Sequence, residues 1–354
     1  VLKLTISYLM ISVGKFLQHN IKAALVLLLL FLGACSPAPQ EFVRLSGMTM
    51  GTTYHITLRP PPGDWTEQSL TDALDKRLAA FNQIASTYIP DSELSQLNRM
   101  PAGEWRQLTP MLFDIVVMAI EVSWLSNGAF DVTVGPLVDL WGFGPEKHDG
   151  RPDQSAVKKA LEEVGFDRIE LDMADHKIKK GAPLSIDLSA IAKGYGVDAV
   201  ALWLESLGST DYLVEIGGEM RVAGLSPRGD QWRIGVESPD LEVDKTTSIL
   251  LGNIGVATSG DYRNYFEENG VRYSHTIDPR TGRPITHNLA SVTVLDPSCA
   301  FADAMATAFS VLGGDKALEL AEQLDIPVYL IEKTDSGFSS RYSSSFAPYL
   351  EQEK

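Results

Sequence analysis

Asp303 and Thr307 stand four residues apart in Ala302-Asp303-Ala304-Met305-Ala306-Thr307-Ala308, so a helix through this segment points a carboxylate and a hydroxyl to one side. Oxygen-only ligation suits a hard cation such as Mg²⁺, which is often held by one or two protein oxygens while phosphate and water complete its shell. The same pair can instead serve the helix itself, the acid as a cap and the threonine bonding back to the preceding turn. A second segment, Ile186-Asp187-Leu188-Ser189-Ala190-Ile191-Ala192-Lys193-Gly194-Tyr195-Gly196, runs from extended chain into a helix, with Asp187 at or near its N-cap. Asp187 either caps that helix or faces a ligand together with the backbone of the turn, and Lys193 is placed to neutralise phosphate. His275 lies in a third segment, Tyr273 to Pro284, at the end of a strand and before a turn-rich loop. An imidazole there, with an unperturbed pKa of about 6.5, can accept a proton, although a structural histidine fits the same position.

The elements that must hold these groups can be read from periodicity and punctuation. Phe42 to Leu58 reads as two strands broken at Gly51, followed by a turn at Pro60-Pro61-Pro62-Gly63-Asp64. Leu70, Leu74, Leu78, Phe81 and Ile84 recur at helical spacing and predict a helix over Thr66 to Ser86. Thr109, Pro110 and Gly128 bracket a second helix, and a third spans Asp153 to Val164. Strands are expected at 169–173 and 177–180, then a helix over Ser189 to Leu207. Beyond it come strands at 212–216, 220–223, 232–236, 248–251, 271–276 and 290–295. Helices at 300–312 and 316–323 and a strand at 327–331 follow, and the Ser-rich 336–345 stretch reads as a surface hairpin or loop. Strands cluster late without regular βα alternation, which predicts α+β architecture with mostly antiparallel sheets and packed helices. Gly217-Gly218 and Thr258-Ser259-Gly260-Asp261 read as tight turns able to admit a flat or phosphorylated ligand. A dinucleotide fingerprint, a P-loop, a zinc cluster and a nucleophile elbow are all missing from the sequence.

The first 34 residues differ from the rest. They carry Lys3, Lys15 and Lys22 but no acid, and run through an apolar stretch, Ala23 to Leu32, of about ten residues. That is short for a bilayer span of about 20 residues, and Leu32-Gly33-Ala34-Cys35 followed by Ser36 resembles a bacterial lipobox. Residues 1–34 are therefore expected to be a lipoprotein signal peptide, 35–41 a lipidated N-terminus and linker, and 42–354 the folded domain, with Cys35 as the lipidation site. This implies an exported, membrane-anchored protein facing the periplasm; Ser36 in place of Asp is the pattern of outer-membrane sorting, and the choice between outer and inner membrane stays open. Loss of the segment takes the formal net charge from −16 to −19, which argues against nucleic acid and anionic headgroups as partners. The other cysteine, Cys299, then has no partner in the chain and is expected in the core.

Taken in order, seven motifs resemble the ApbE family, the FAD:protein FMN transferases, from about Leu45 to Tyr349. They are Met48 to Tyr54, Ser86-Thr87-Tyr88 with Asp91 to Leu94, Ala129 to Leu137, Asp187 to Gly196, Glu215-Ile216-Gly217-Gly218-Glu219, His275 to Pro284 and Ala302 to Ala308. The resemblance implies a T-fold-like α+β domain that splits FAD at its pyrophosphate and joins FMN through a phosphoester to a threonine of an exported acceptor flavoprotein. Subunits of redox-driven ion pumps are among the acceptors it suggests. It further implies that Met50, Tyr88, Ala129, Phe130, Asp131, Asp187, Lys193 and Ile277 contact FAD. The carbonyl of Ala190 with Asp303 and Thr307 would hold Mg²⁺, and His275 would be the base that deprotonates the threonine. Two other readings remain open at this level: hydrolysis of FAD to FMN and AMP in the same site, and a non-catalytic lipoprotein that stores or presents FAD.

Overall fold

The computed structural model describes residues 42–144, 151–236, 247–260, 265–268 and 271–351. The expected signal peptide, Cys35 and the linker lie outside the described residues. Val43–Thr49 (β1) and Thr52–Leu58 (β2) pair antiparallel around Met50-Gly51, whose φ angles of 50° and 73° are both left-handed. A two-residue turn of this kind matches the right-handed twist of the strands; Gly51 adopts it freely, whereas Met50 does so against its own Cβ.

The chain then leaves the sheet for a long helical excursion. Helices Glu67–Ala85 (α1), Glu93–Asn98 (α2), Pro110–Leu125 (α3), Gly135–Leu140 (α4), Gln154–Leu161 (α5) and Ala192–Ser206 (α6) follow in turn. Thr66 caps α1 through a capping box, and Thr109 caps α3 with Pro110 at its first turn, the latter as the sequence predicts. The excursion closes where it opened. The Arg59 N–H donates to the Asp211 carbonyl at 2.8 Å and the Arg59 guanidinium to its carboxylate at 2.7 Å.

Tyr212–Ile216 (β3) and Glu219–Ala223 (β4) form a hairpin over Gly217-Gly218, whose φ angles are 61° and 103°. Ile254–Gly260 (β5) and Leu289–Asp296 (β6) come next, then helices Cys299–Leu312 (α7) and Gly314–Leu324 (α8), and last Val328–Thr334 (β7) and Gly337–Tyr342 (β8). All eight strands stand in the sheet in the order in which they occur in the chain, and every ladder is antiparallel. The α+β expectation therefore holds in a specific form: an up-and-down meander whose connections carry the helices.

Alternation along the strands splits the core. Tyr212, Val214, Ile216, Val292, Val294, Val328 and Leu330 face the helices, while Val222, Val256, Leu295, Tyr329 and Ile331 pack under a hairpin of Trp232–Val236 and Thr247–Leu251. A separate small cluster joins Leu137, Trp141, Val157 and Ile277.

Three expectations are corrected. Thr258 to Gly260 is not a tight turn but the end of β5, a central strand, and Asp261 lies outside the described residues; β5 lacks clean alternation because both its faces are covered, Ala257 on the helix side and Ile254 and Val256 under the hairpin. Helix α6 begins at Ala192 rather than Ser189, and Asp187 does not cap it. Helix α5 ends at Leu161, its last turns tightening into i→i+3 bonds before Gly165. No helix among the described residues is long and apolar enough to cross a membrane.

Candidate functional site

The side chains singled out from sequence gather around two features, the crossing of α6 and α7 and the junction of the 187–189 turn with α4. At the crossing the helices approach closely because Gly194 has no side chain: a Cβ there would lie 2.4 Å from the Cys299 carbonyl oxygen. The two helices also cap each other. Asp303 Oδ2, from within α7, accepts the Gly194 N–H of α6 at 3.0 Å, and Asp198 Oδ2 of α6 accepts the Ala300 N–H of α7 at 3.0 Å and the Ser298 hydroxyl at 2.9 Å. Carboxylates at helix N-termini satisfy orphan donors and meet the positive end of the macrodipole. Asp303 is thus a cap, though for the neighbouring helix; its own helix is capped by Ser298.

This arrangement has a consequence for Ala190. In a regular helix the Gly194 N–H would donate to the carbonyl four residues earlier, that of Ala190. Because it turns to Asp303, the Ala190 carbonyl receives no backbone hydrogen bond among the described residues. Thr307, one turn beyond Asp303, is half-buried, and its hydroxyl has no hydrogen bond among the described residues, so it does not bond back along the helix. A carboxylate, a hydroxyl and a carbonyl are all hard oxygen donors, and they fit Mg²⁺ better than a soft metal. No group of three or more His, Cys, Asp or Glu able to hold a metal occurs among the described residues.

Lys193 extends beside Asp303. Its ammonium lies 3.2 Å from Glu219 Oε1 and 3.7 Å from Asp303 Oδ1. Burial opposes this charge, but Asp303 and Glu219 outweigh it and hold the lysine above its usual range. Burial, reinforced by the charge of Asp303, pushes the Glu219 carboxyl up from its usual range, while the Lys193 ammonium beside it holds it down. Cys299 is fully buried beneath this cluster and its thiol is raised well above its ordinary value, chiefly by burial, so it is a packing residue as expected. Met50 lies over α6 at its second glycine: a Cβ on Gly196 would come within 2.5 Å of the Met50 methyl carbon.

At the second feature Asp187 folds onto its own turn, accepting the Ser189 N–H at 2.9 Å and the Ser189 hydroxyl at 2.6 Å. Tyr88, 67% exposed, stands near enough that partial burial and the charges of Asp187 and Asp139 raise its phenol pKa. Ala129, Phe130 and Asp131 are buried, and the Asp131 side chain is engaged internally. Its Oδ1 accepts the N–H and hydroxyl of Thr133, and its Oδ2 the Phe166 N–H at 3.3 Å. The segment still reaches Asp187 through backbone, since the Asp187 N–H donates to the Val132 carbonyl at 2.7 Å. Ile277 is likewise buried in the small cluster, leaving its backbone rather than its side chain for a ligand. His275 follows the strand Val271–Ser274 and makes an edge contact with Phe143, ring centroids 6.2 Å apart. The loop after it is clamped by Trp141, whose indole N–H donates to the Gly282 carbonyl at 2.8 Å.

Sequence reasoning gave Glu219, Asp198 and Arg221 no role. Glu219 stood within the Glu215 to Glu219 motif, and its position directly after a two-glycine turn was the available signal. A cavity of about 600 Å³ lined by Glu205, Tyr212, Arg221 and Asn253 contains none of the predicted residues. Its polar groups are already paired, Arg221 with Asp198 and Glu205 and Asn253 with the Gly224 N–H.

Comparison with known proteins gives the family. Residues 50–330 match the ApbE family model. The chain is 46% identical over 339 residues to the FAD:protein FMN transferase of Vibrio cholerae, covering 94% of this chain and 99% of that one. It is 44% identical over 336 residues to the FAD:protein FMN transferase of Haemophilus influenzae, covering 92% and 96%. It superposes on the solved flavin transferase ApbE from Vibrio cholerae with a TM-score of 0.83 at 45% identity, over 88% of this chain and all of that one. With the family model matched over residues 50–330 and relatives 46% and 44% identical along nearly the whole chain, the chain belongs to the ApbE family.

Proposed function

We propose that this protein transfers FMN from FAD to a threonine of an acceptor protein, with Mg²⁺ bound, forming a phosphoester and releasing AMP. The observation that carries this reading is the α6–α7 crossing, where Asp303 takes the Gly194 N–H, the Ala190 carbonyl accepts no backbone hydrogen bond among the described residues, and the Thr307 hydroxyl one turn beyond Asp303 makes none either. The names of the Vibrio cholerae and Haemophilus influenzae relatives support the reaction class. Bound there, Mg²⁺ supplies charge neutralisation of the pyrophosphate and polarises phosphorus.

The protein's residues supply the rest. Lys193 adds positive charge where the acidic surface would otherwise repel phosphate. The backbone of the 187–190 turn and of Ile277, with Met50, Tyr88 and the 129–131 segment, holds the dinucleotide. His275 accepts the threonine proton as the threonine oxygen bonds to the FMN phosphorus and the bond from that phosphorus to the bridging oxygen breaks, so that AMP leaves. General-base help of this kind contributes about 10²–10⁴-fold. Lipidation at Cys35 would tether the enzyme at the membrane face where exported acceptor domains emerge.

The test mixes the full chain in detergent with FAD, Mg²⁺ and an exported flavoprotein domain bearing candidate threonines, and follows FMN addition by mass spectrometry. Asp303→Ala is expected to abolish labelling, and His275→Ala to bind FAD normally but transfer slowly. AMP released without any labelled protein, across a panel of acceptors, would favour hydrolysis; FAD bound without turnover would favour storage.

A further inference from the structure

Lys193 and a cation compete for one oxygen. Asp303 Oδ2 is occupied by the Gly194 N–H, so Oδ1 is the oxygen left for a metal, and it is Oδ1 that the Lys193 ammonium approaches, at 3.7 Å. A direct lysine–aspartate ion pair at that point would have to be broken before a cation could bind. Glu219 changes the balance. Its Oε1 lies nearer the ammonium, at 3.2 Å, while its Oε2 is buried with no hydrogen-bond partner. A buried carboxylate oxygen without a donor is costly and uncommon. An ammonium has three donors and can bridge both oxygens of one carboxylate.

The hairpin fixes this geometry. Glu219 pairs with Ile216 at the first register position after the turn, on the face toward α6. Gly217 leaves the lysine stem its path, since a Cβ there would stand 3.2 Å from Lys193 Cδ.

We propose that Glu219 is a positioning residue: it draws the Lys193 ammonium off Asp303 Oδ1, toward its own unpartnered oxygen, and so keeps Oδ1 open to the divalent cation. The inference rests on the proposed function only in taking Asp303 as a cation ligand.

A double-mutant cycle separates positioning from simple charge. Mn²⁺ alone is titrated into the full chain in detergent, and free ion is followed by electron paramagnetic resonance, for wild type, Glu219→Gln, Lys193→Met and the double variant. Charge alone makes the two substitutions additive. Positioning makes Lys193→Met far more beneficial in the Glu219→Gln background, where the lysine has fallen onto Asp303. We expect Glu219→Gln to weaken Mn²⁺ binding by at least about tenfold and the cycle to be non-additive by roughly tenfold, about 1.4 kcal/mol. An additive cycle, or unchanged binding in Glu219→Gln, overturns the inference even if FMN transfer by wild type proceeds. Wild type that binds no Mn²⁺ overturns it together with the ligand assignment. If wild type binds Mn²⁺ and gives a non-additive cycle but transfers no FMN, the inference stands and the reaction does not. Should Glu219→Gln fail to fold, Glu219→Asp replaces it: the charge is kept but the reach is shortened, and weaker binding is again expected, unchanged binding again decisive against.

Discussion

Gly194→Ala tests whether the crossing of α6 and α7 is as tight as its geometry implies. In an isolated helix the change would help, by about 1 kcal/mol, because alanine loses less backbone entropy than glycine. Here the new methyl would lie 2.4 Å from the Cys299 carbonyl oxygen, 2.7 Å from its carbon and 2.8 Å from Ala300 Cα. All three are backbone atoms, so no side chain can rotate away; the helices must part by most of an ångström. Overpacking of that kind costs about 1–3 kcal/mol. Parting the helices also stretches the 3.0 Å bond from Gly194 N–H to Asp303, a hydrogen bond to a charged acceptor whose loss costs about 1.5–3 kcal/mol. Set against the propensity gain, the net destabilisation is about 1.5–5 kcal/mol, which at about 2.1 cal/mol/K of unfolding entropy per residue lowers Tm by roughly 2–8 °C. Urea unfolding followed by far-UV circular dichroism measures it, and the same sample reports Mn²⁺ affinity, which should fall because Asp303 moves with α7. Gly194→Ala as stable as wild type, or more so, would refute the reasoning, since propensity would then outweigh the contact.

Three further outcomes are expected. Asp198→Ala removes the acceptor for the Ala300 N–H and the Ser298 hydroxyl and strips Arg221 of a partner at 3.0 Å; it should cost about 2–4 kcal/mol, read as a lower urea midpoint with an unchanged slope. Gly282→Ala places a Cβ at φ +68° and within 2.8 Å of Val157, displacing the loop after His275, so FMN transfer should fall several-fold while stability drops by only about 1–3 kcal/mol. At Asp211 burial alone would raise the carboxyl, but the Leu225 N–H and Arg59 outweigh it and hold the pKa below its usual range. A carboxyl depressed in the folded state contributes stability above the unfolded pKa of about 4 and loses it as pH falls through the folded value. Asp211→Asn should therefore be less stable than wild type by about 1–2 kcal/mol at pH 7, with the gap closing below roughly pH 4 in thermal melts; a gap that persists at pH 2.5 would contradict it.

Much of the local structure is legible in the sequence. Signals that act within one turn of chain are legible: the cap at Thr109, the glycine turn at Gly217-Gly218, the apolar spacing of α1, and the four-residue spacing that sets Asp303 and Thr307 on one side of α7. Strand β5 was missed because Ile254-Gly255-Val256-Ala257-Thr258-Ser259-Gly260 has no clean period of two. Its strand character comes from ladders on both sides, which are long-range.

The sequence by itself determined which residue types are present and which neighbours share a face: the hard oxygens, one lysine, one histidine after a strand, and the order of motifs that marks the family. Only the tertiary structure decided how they are used. Asp187 reads in the sequence either as the cap of α6 or as a ligand-facing group; the carboxylate that takes an N-terminal N–H of α6 is instead Asp303, more than a hundred residues later, and the Ala190 carbonyl accepts no backbone hydrogen bond among the described residues. Glu219 had no reading at all until the meander set it beside Lys193. The physical reason is the same in each case. Periodicity and capping are short-range and are written in consecutive residues, whereas the partner of a buried charge is fixed by which helices and strands the packed core brings within a few ångströms.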